Sequence, residues 1–197
     1  MFARVSNIES FRQWRDSEET DAQPLIDWIQ GSVESEPMRV GTAFHKCLEL
    51  AKDGTYETLE ANGYTFILPD AEISLPSIRE MRLSKNYGGL TVSGQVDGLH
   101  GKRIEDHKTT GFFGLDRYLE GYQWRFYLDI FGADVFRWNI FEVSPVRGKE
   151  MTYEVKAPHI LEQYRYKGLH DDCAELAEQY KQFAEKYLTQ KETLCAA

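Results

Sequence analysis

Cysteine is scarce in this sequence: the 197 residues include only Cys47, Cys173 and Cys195. An odd number of widely spaced cysteines excludes a disulfide framework, a zinc knuckle and a four-cysteine iron–sulfur cluster. We therefore expect reduced thiols that serve the structure of the protein.

Long hydrophobic runs are also missing. No stretch of about 18 consecutive apolar residues occurs, which excludes a membrane-spanning helix. The first ten residues, MFARVSNIES, lack the apolar core of a signal peptide. These two absences predict a cytoplasmic protein without membrane partners.

Basic residues are fewer than acidic ones: the sequence has 23 Lys and Arg residues and 32 Asp and Glu residues, which gives a net charge of −9. This balance argues against a protein that coats nucleic acid by charge alone. It does not exclude an enzyme that acts on DNA, because a metal site needs carboxylates and a local basic patch can coexist with an acidic remainder. The hydrophobic fraction of 42% is that of a soluble globular protein.

Internal repeats, low-complexity tracts and linkers rich in Pro, Gly or Ser are absent too, so we expect one domain over residues 1–197. Its parts are a helical lead-in (1–37), a central core (38–156), in which we expect any catalytic residues, and a C-terminal helix (157–197). Apolar residues at helical spacing predict helices over three stretches: 38–52, 115–131 and 158–188.

Runs rich in β-branched and aromatic residues, bounded by turn residues, predict the strands. They cover 64–68, 78–85, 90–99, 102–108, 135–143 and 150–156. Three of these strands follow one another across short turns, which predicts a three-stranded meander. The sequence therefore favours an α/β (α+β) fold with a central mixed sheet flanked by helices.

The segment GQVDGLHGKRIEDHKTT, residues 94–110, carries charge where a strand should be apolar. Side chains alternate along a strand, so Ile104, Asp106 and Lys108 share one face. If the hairpin pairs across its glycine turn, Asp97 comes near Asp106. Two adjacent carboxylates repel each other, and a divalent cation removes that cost.

Oxygen ligands without cysteine favour Mg²⁺ or Mn²⁺ over zinc. A lysine beside them can stabilise the charge on a phosphate or help to position and deprotonate a water. Taken alone, however, the hairpin is equally compatible with an Asp–Lys ion pair exposed to solvent. The register also leaves Glu105 as an alternative ligand, although only Asp106 shares a face with Lys108.

Two distant segments add weaker signals. His45 and Glu49 in GTAFHKCLE are one helical turn apart, behind Gly41, which allows close packing at the start of the helix. Gln123 and Tyr127 in GYQWRFYLDIFG are also one turn apart, on the helix that follows the hairpin. A single helical histidine or tyrosine is more often part of a core than of a site.

The ordered combination is more specific than its parts. The patterns GxxxHxxxE, GxxDxxxxxxxxDxK and QxxxY, in this order over residues 38–132, resemble the PD-(D/E)XK nuclease superfamily, in particular its RecB-type exonuclease branch. The resemblance implies a restriction-endonuclease-like core and the cleavage of DNA with Mg²⁺ or Mn²⁺. Several branches of the family carry iron–sulfur cysteines, which this sequence lacks. In this respect the chain resembles a stand-alone nuclease of phage or mobile-element type, which implies a bacterial or phage-infected cell.

The resemblance also implies roles for individual residues. His45 corresponds to a helix histidine that contacts the metal, and Asp97 to the first metal-binding acid. Asp106 fills the (D/E) position and Lys108 that of the catalytic lysine, while the backbone carbonyl of His107 is a further ligand. The QxxxY pair, Gln123 and Tyr127, would lie beside the site and help to hold the lysine and the DNA.

Several residues are weaker candidates for contacts with DNA. Thr109 and Thr110 could bind phosphate or cap the next segment, and Arg125 could bind phosphate or simply be solvated. Arg79, Arg82 and Lys85 recur along the predicted strand 78–85 and form either a basic track or the charged face of an edge strand.

The sequence thus predicts a metal-dependent DNA nuclease, with exonuclease action favoured, that works in DNA processing, recombination or repair. Because no helicase motif is present, any unwinding needs a partner, such as a helicase or single-strand annealing component. The alternative is a non-catalytic nucleic-acid-binding or assembly protein that retains the nuclease fold. An acidic mimic of DNA is disfavoured, because the acids alternate with Lys and Arg along most of the chain.

Overall fold

A computed structural model describes residues 1–31, 34–69, 72–73, 75–76 and 78–188. Within these residues the helices are α1 (Val5–Arg15), α2 (Gln23–Ile29), α3 (Glu36–Leu50), α4 (Asp116–Leu119), α5 (Gln123–Phe131) and α6 (Leu169–Tyr187). The shorter strands are β1 (Phe2–Arg4), β2 (Gly54–Thr55), β3 (Thr58–Ala61), β4 (Tyr64–Ile67), β5 (Glu72–Ile73) and β10 (Thr152–Val155). The longer strands are β6 (Ile78–Tyr87), β7 (Leu90–His100), β8 (Arg103–Thr110), β9 (Val135–Pro145) and β11 (His159–Tyr164).

Nine of the described strands form one mixed sheet, with the order β1-β7-β8-β9-β10-β4-β3, while β6 also pairs with β7 and β11 with β9. Strands β6, β7 and β8 form the antiparallel meander that the sequence predicts. Strands β8 and β9 are parallel, so the chain must cross over between them, and it does so through α4 and α5. This crossover places the QxxxY helix against the hairpin that carries the acidic residues.

Two hydrophobic cores lie on the two faces of the sheet. The larger core joins α1, α5 and α6 to the meander and includes Ile104 of β8, which is fully buried. The smaller core packs α3 against β3, β4 and β10, with Phe44 and Phe66 buried in edge-to-face contact. Burying one such side chain stabilises the fold by about 1.5–3 kcal/mol, so these two cores fix the helices on the sheet.

The predicted α/β fold class is confirmed, and the arrangement is consistent with a restriction-endonuclease-like core. The helix predicted over 38–52 is α3, and each of the six predicted strands has its counterpart among β4 and β6 to β10. Cys47 and Cys173 are buried free thiols, whereas Cys195 lies outside the described residues. No helix among the described residues is both long and apolar enough to cross a membrane.

The prediction of a closing helix over 158–188 is wrong in its first part, because residues His159–Tyr164 form strand β11 and the helix begins only at Leu169. Six residues of β11 pair with β9, and this ladder outweighs the helical spacing of the apolar side chains. Gly168, with φ of +95°, supplies the left-handed residue that starts α6.

Two further boundaries differ from the predictions. The helix predicted over 115–131 is two helices, α4 and α5, interrupted at residues 120–122 around Gly121. The helical lead-in starts with a strand, since β1 pairs in parallel with β7. Only three residues long, β1 shows too little alternation for the sequence to predict it.

Candidate metal and nucleic-acid site

The site forms where the edge of β7 changes partner. Along this edge, Thr91 to Ser93 pair with β1, whereas pairing with β8 is confined to residues 98–100. The described strands therefore leave a gap at residues 94–97, and Asp97 lies at its end. Its carboxylate Oδ2 accepts the backbone N–H of His107 at 2.6 Å, in place of a ladder bond.

Asp106 and Lys108 lie on the same face of β8, as the alternation predicts. Lys108 Nζ donates to Asp106 Oδ1 at 3.1 Å and lies 2.9 Å from Oδ2. The Asp106 side chain is only 4% exposed, so this pair is not a solvated surface ion pair. Glu105 belongs to the opposite face, where it accepts hydrogen bonds from Arg103 and from Asn139.

One oxygen of Asp106 is left open. Although Lys108 Nζ lies close to Oδ2, its hydrogen-bond geometry satisfies Oδ1, and Oδ2 is buried without any hydrogen-bond donor among the described residues. Burying a carboxylate oxygen without a hydrogen bond is costly, and Lys108 Nζ at 2.9 Å supplies charge but no hydrogen bond to Oδ2. A metal ion bound at Oδ2 would supply the missing ligand, so this oxygen fits a metal ion.

The described residues contain no group of three or more His, Cys, Asp or Glu side chains that could enclose a metal ion. Mg²⁺ does not require such a group, because it keeps several waters and binds proteins through one or two carboxylates together with substrate phosphates. The donors present here, Asp106 Oδ2 and the Asp97 carboxylate beside it, match that ligand set. They do not match a structural zinc site, which needs four protein ligands.

His45 connects helix α3 to this site. Its Nδ1 lies 3.3 Å from Asp97 Oδ1. Burial alone would lower the pKa of His45, but the hydrogen bond and the charge of Asp97 more than offset it, and the pKa is raised. Burial raises the pKa of Asp97, yet His45 and then Lys108 outweigh it and hold this pKa at about 2.

The two carboxylates are pushed in opposite directions. Burial raises the pKa of Asp106, and although the charge of Lys108 opposes this shift, the negative charge of Asp97 adds to it. Burial would lower the pKa of Lys108, but Asp106 and Asp97 reverse that effect, so its pKa is raised and the side chain is an ammonium ion at neutral pH. A site that holds unlike charges this close together is ready to accept a cation and a phosphate.

The QxxxY pair lies beside the two charges. Gln123 Nε2 donates to Tyr127 Oη at 3.5 Å, and Tyr127 is 7% exposed. Burial, followed by the charge of Asp106, raises the pKa of Tyr127 to about 12, so the phenol stays neutral. A Cβ at Gly94 would lie 2.6 Å from the ring of Tyr127, which explains why the GxxD pattern has glycine there.

The residues of the suggested basic track are engaged elsewhere. Arg79 Nη1 donates to the carbonyls of Leu48, Glu49 and Ala51 at 2.9–3.2 Å, so this arginine caps the C-terminal end of α3. Lys85 pairs with Asp129 at 2.9 Å. The exposed Arg82 donates to Gln95 Oε1.

The other weak candidates are also placed by the structure. The Arg125 guanidinium stacks on Tyr122, 4.1 Å from the ring centroid, and its buried Nε has no hydrogen-bond partner among the described residues. Thr110 Oγ1 donates to the carbonyl of Phe112 at 2.7 Å and accepts its backbone N–H at 3.3 Å, so this hydroxyl closes a local turn. Thr109 Oγ1 would lie 3.2 Å from a Cβ at Gly41, so helix α3 approaches β8 closely there. Contacts of these residues with DNA stay predictions.

The sequence did not reveal Glu80, which adopts φ of +54° within β6. A non-glycine residue in this region is strained, and such residues cluster at functional sites. Glu80 lines an open groove of about 560 Å³ in front of His45, together with Gly41, Thr42, Lys46, Glu49 and Asn62. In the sequence Glu80 is only one carboxylate among many. The positive φ that distinguishes it cannot be read from a single sequence.

Solved structures show that this fold occurs elsewhere. The crystal structure of SSO0001 is similar with a TM-score of 0.52 and 14% identity, over 92% of this chain and 76% of that one. An alkaline exonuclease (LHK-Exo) from Laribacter hongkongensis matches with a TM-score of 0.47 and 14% identity, over 98% of this chain and 94% of that one, and its complex with dAMP gives the same values. No protein-family model and no curated protein matches the sequence. At this identity, the likeness to SSO0001 shows a shared fold and nothing about activity.

Proposed function

We propose that this chain is a Mg²⁺- or Mn²⁺-dependent deoxyribonuclease that acts as an exonuclease, with Asp97, Asp106 and Lys108 at its centre. The observation that carries the proposal is the buried Oδ2 of Asp106, which has no hydrogen bond among the described residues, next to a second carboxylate and an ammonium group. A purely structural ion pair has no need of an unsatisfied oxygen or of a second acid within the same gap.

The residues divide the work as follows. Asp106 and Asp97 would hold the ion, with the His107 carbonyl as a further ligand, and His45 keeps Asp97 oriented through the 3.3 Å contact. The ion, when bound, polarises the phosphate and activates a water. Lys108, whose side chain is 31% exposed, presents a positive charge where negative charge grows on the phosphate, in a position that is partly shielded from water.

Tyr127 and Gln123 support this arrangement from the α5 side. The ring of Tyr127 fills the space above Gly94, so the phenol is fixed beside Lys108. The open groove is lined by His45, which contacts Asp97, and a DNA strand would approach the site along it. A role in recombination or repair, in the cytoplasm and with a helicase or annealing partner, is part of the same proposal.

The test is digestion of end-labelled linear DNA and closed circular DNA with Mg²⁺, Mn²⁺ or EDTA. We expect metal-dependent loss of the linear substrate from its ends, sparing of the circle, and no cleavage by Asp106→Asn. The exposed Asp171→Asn is the matched control, because it makes the same chemical change far from the site. DNA that is bound but never cleaved with either metal would favour the non-catalytic nucleic-acid-binding alternative.

A further inference from the structure

A second cavity lies on the opposite face of β8 from Ile104. Its volume is about 420 Å³, within the range of about 300–1,000 Å³ typical of small-molecule sites. Its floor is formed by paired positions of β8 and β9, where Glu105 lies beside Arg137 and His107 beside Asn139. The lining contains none of Asp97, Asp106 or Lys108, so of the residues proposed to hold the metal this cavity shares only His107.

The inner end of the cavity is apolar and aromatic. Phe44 and Phe141 meet edge to face with their ring centroids 4.9 Å apart, and Leu48 and Val155 complete that end. Aromatic walls of this kind favour a flat ring, because stacking and edge contacts add to the burial of apolar surface. Phe44 has no exposed surface whereas Phe141 is partly exposed, so a flat ring that enters this end could pack on Phe141.

The middle of the cavity has hydrogen-bonding groups that the protein satisfies poorly. Asn139 Nδ2 reaches Glu105 Oε2 and His107 Nδ1 only at 3.4 Å each, well beyond the usual N–H···O distance of about 2.9–3.0 Å. Asn139 Oδ1 has no hydrogen bond within the described part of the chain. An asparagine amide matches the paired donor and acceptor on the edge of a nucleobase, adenine above all.

The cations at the mouth are each paired with a carboxylate, Lys156 with Glu142 among them. Arg103 donates to Glu105 through Nε and Nη2, and Arg137 donates to Glu162 through the same two atoms, which leaves Nη1 of each arginine without a hydrogen bond among the described residues. Both arginines line the cavity, with Lys156, in a chain whose net charge is −9. Guanidinium groups with free N–H donors bind phosphate.

We propose that this cavity binds a nucleoside monophosphate, with the base packed on Phe141, its polar edge on Asn139, and the phosphate at Arg103 and Arg137. The order of the groups, an apolar end with an aromatic ring, then a polar edge, then guanidinium donors at the mouth, matches the order of groups in such a ligand. The site goes beyond the proposed nuclease function and does not depend on it. Occupation would place the ligand against His107, whose backbone N–H is bound by Asp97.

Calorimetric titration in EDTA tests the proposal, because without metal no cleavage can occur. The probes are deoxyadenosine monophosphate, deoxyadenosine and inorganic phosphate. We expect the monophosphate to bind saturably and both fragments to bind at least about tenfold more weakly, since each lacks contacts worth more than about 1.4 kcal/mol. Absence of saturable binding, or phosphate alone binding as tightly, would overturn the assignment.

Variants locate the binding site. Arg137→Gln should weaken binding of the monophosphate by about tenfold through loss of a charge-assisted hydrogen bond. Replacing the exposed Arg147 by glutamine should leave this affinity unchanged. Asn139→Leu tests the contact with the base independently of the phosphate. Lys108→Gln should have no effect, because Lys108 lies outside the cavity. If binding were lost in Lys108→Gln and retained in Arg137→Gln, the nucleotide would lie in the catalytic cleft and the cavity proposal would be wrong.

Discussion

Replacing Gly94 by alanine should damage both the fold and the site, for a reason that can be worked out from distances. The added Cβ would lie 2.6 Å from Cε1 and 2.8 Å from Cδ1 of Tyr127. Ordinary carbon–carbon contacts are about 3.5–4.0 Å long, so the ring must move by roughly 1 Å. It has little room, since Tyr127 is 7% exposed and stacks on Phe136 with an interplanar angle of 4°.

The size of the effect follows from that displacement. Overpacking of a core costs about 1–3 kcal/mol. For a chain of this size, each kcal/mol lowers the melting temperature by roughly 2–4 °C, so Gly94→Ala should melt about 2–12 °C lower. If the proposed function holds, moving a supporting group by about 1 Å should slow cleavage by about 100-fold.

Thermal unfolding followed by circular dichroism measures the first effect. Gly114→Ala is the matched control, because no atom lies within 4 Å of the added Cβ and the backbone there has no positive φ. Combining Gly94→Ala with Tyr127→Leu should recover part of the lost stability, since the smaller side chain relieves the clash. The reasoning is refuted if Gly94→Ala melts no lower than Gly114→Ala.

Three other predictions concern the end of α3, the pH dependence of stability and metal binding at Asp106. Arg79→Gln should lower the free energy of unfolding by about 1–3 kcal/mol in urea titrations, because it frees three carbonyls at the end of α3, whereas Arg147→Gln should not. Burial would raise the pKa of Asp129, but hydrogen bonds with His170 and Lys85 outweigh it and lower this pKa in the folded state. The ionised Asp129 therefore stabilises the fold above the unfolded pKa of about 3.9. That contribution is lost as the pH falls through the lower pKa of the folded state. The stability advantage of the wild type over Asp129→Asn should therefore be full at neutral pH and shrink below about pH 4, and a constant difference would contradict this. Mn²⁺ at about 100 times its dissociation constant should stabilise the wild type by about 2.7 kcal/mol in thermal unfolding, and an equal gain in Asp106→Asn would exclude Asp106 as a ligand.

The faces of the hairpin were predictable, because side chains alternate between the two faces of any strand. Ile104, Asp106 and Lys108 had to share a face once the strand was recognised, and the structure places them so. The neighbouring helices were likewise visible as apolar stripes. What alternation could not supply is the end of the β7–β8 ladder at Gly98, which lets Asp97 take the N–H of His107.

Other features depend on long-range packing and left no local signal. Strand β11 exists because the edge of β9 was available, and the same residues in isolation fit a helix. Arg79 looked like a member of a basic track because its partners are carbonyls some 30 residues earlier in the chain. Glu80 stands out only through its backbone angle, and the cavity beside Asn139 arises only when β8, β9 and α3 come together.

The central claim is that Asp97, Asp106 and Lys108 form a catalytic centre, and the single-turnover rate of Lys108→Gln on end-labelled linear DNA in saturating Mn²⁺ tests it most directly. The exposed Lys149→Gln is the matched control. Removing one group that stabilises the transition state should lower the rate by about 100- to 1,000-fold, with the rate of the control unchanged. Cleavage by Lys108→Gln at the wild-type rate would contradict the account.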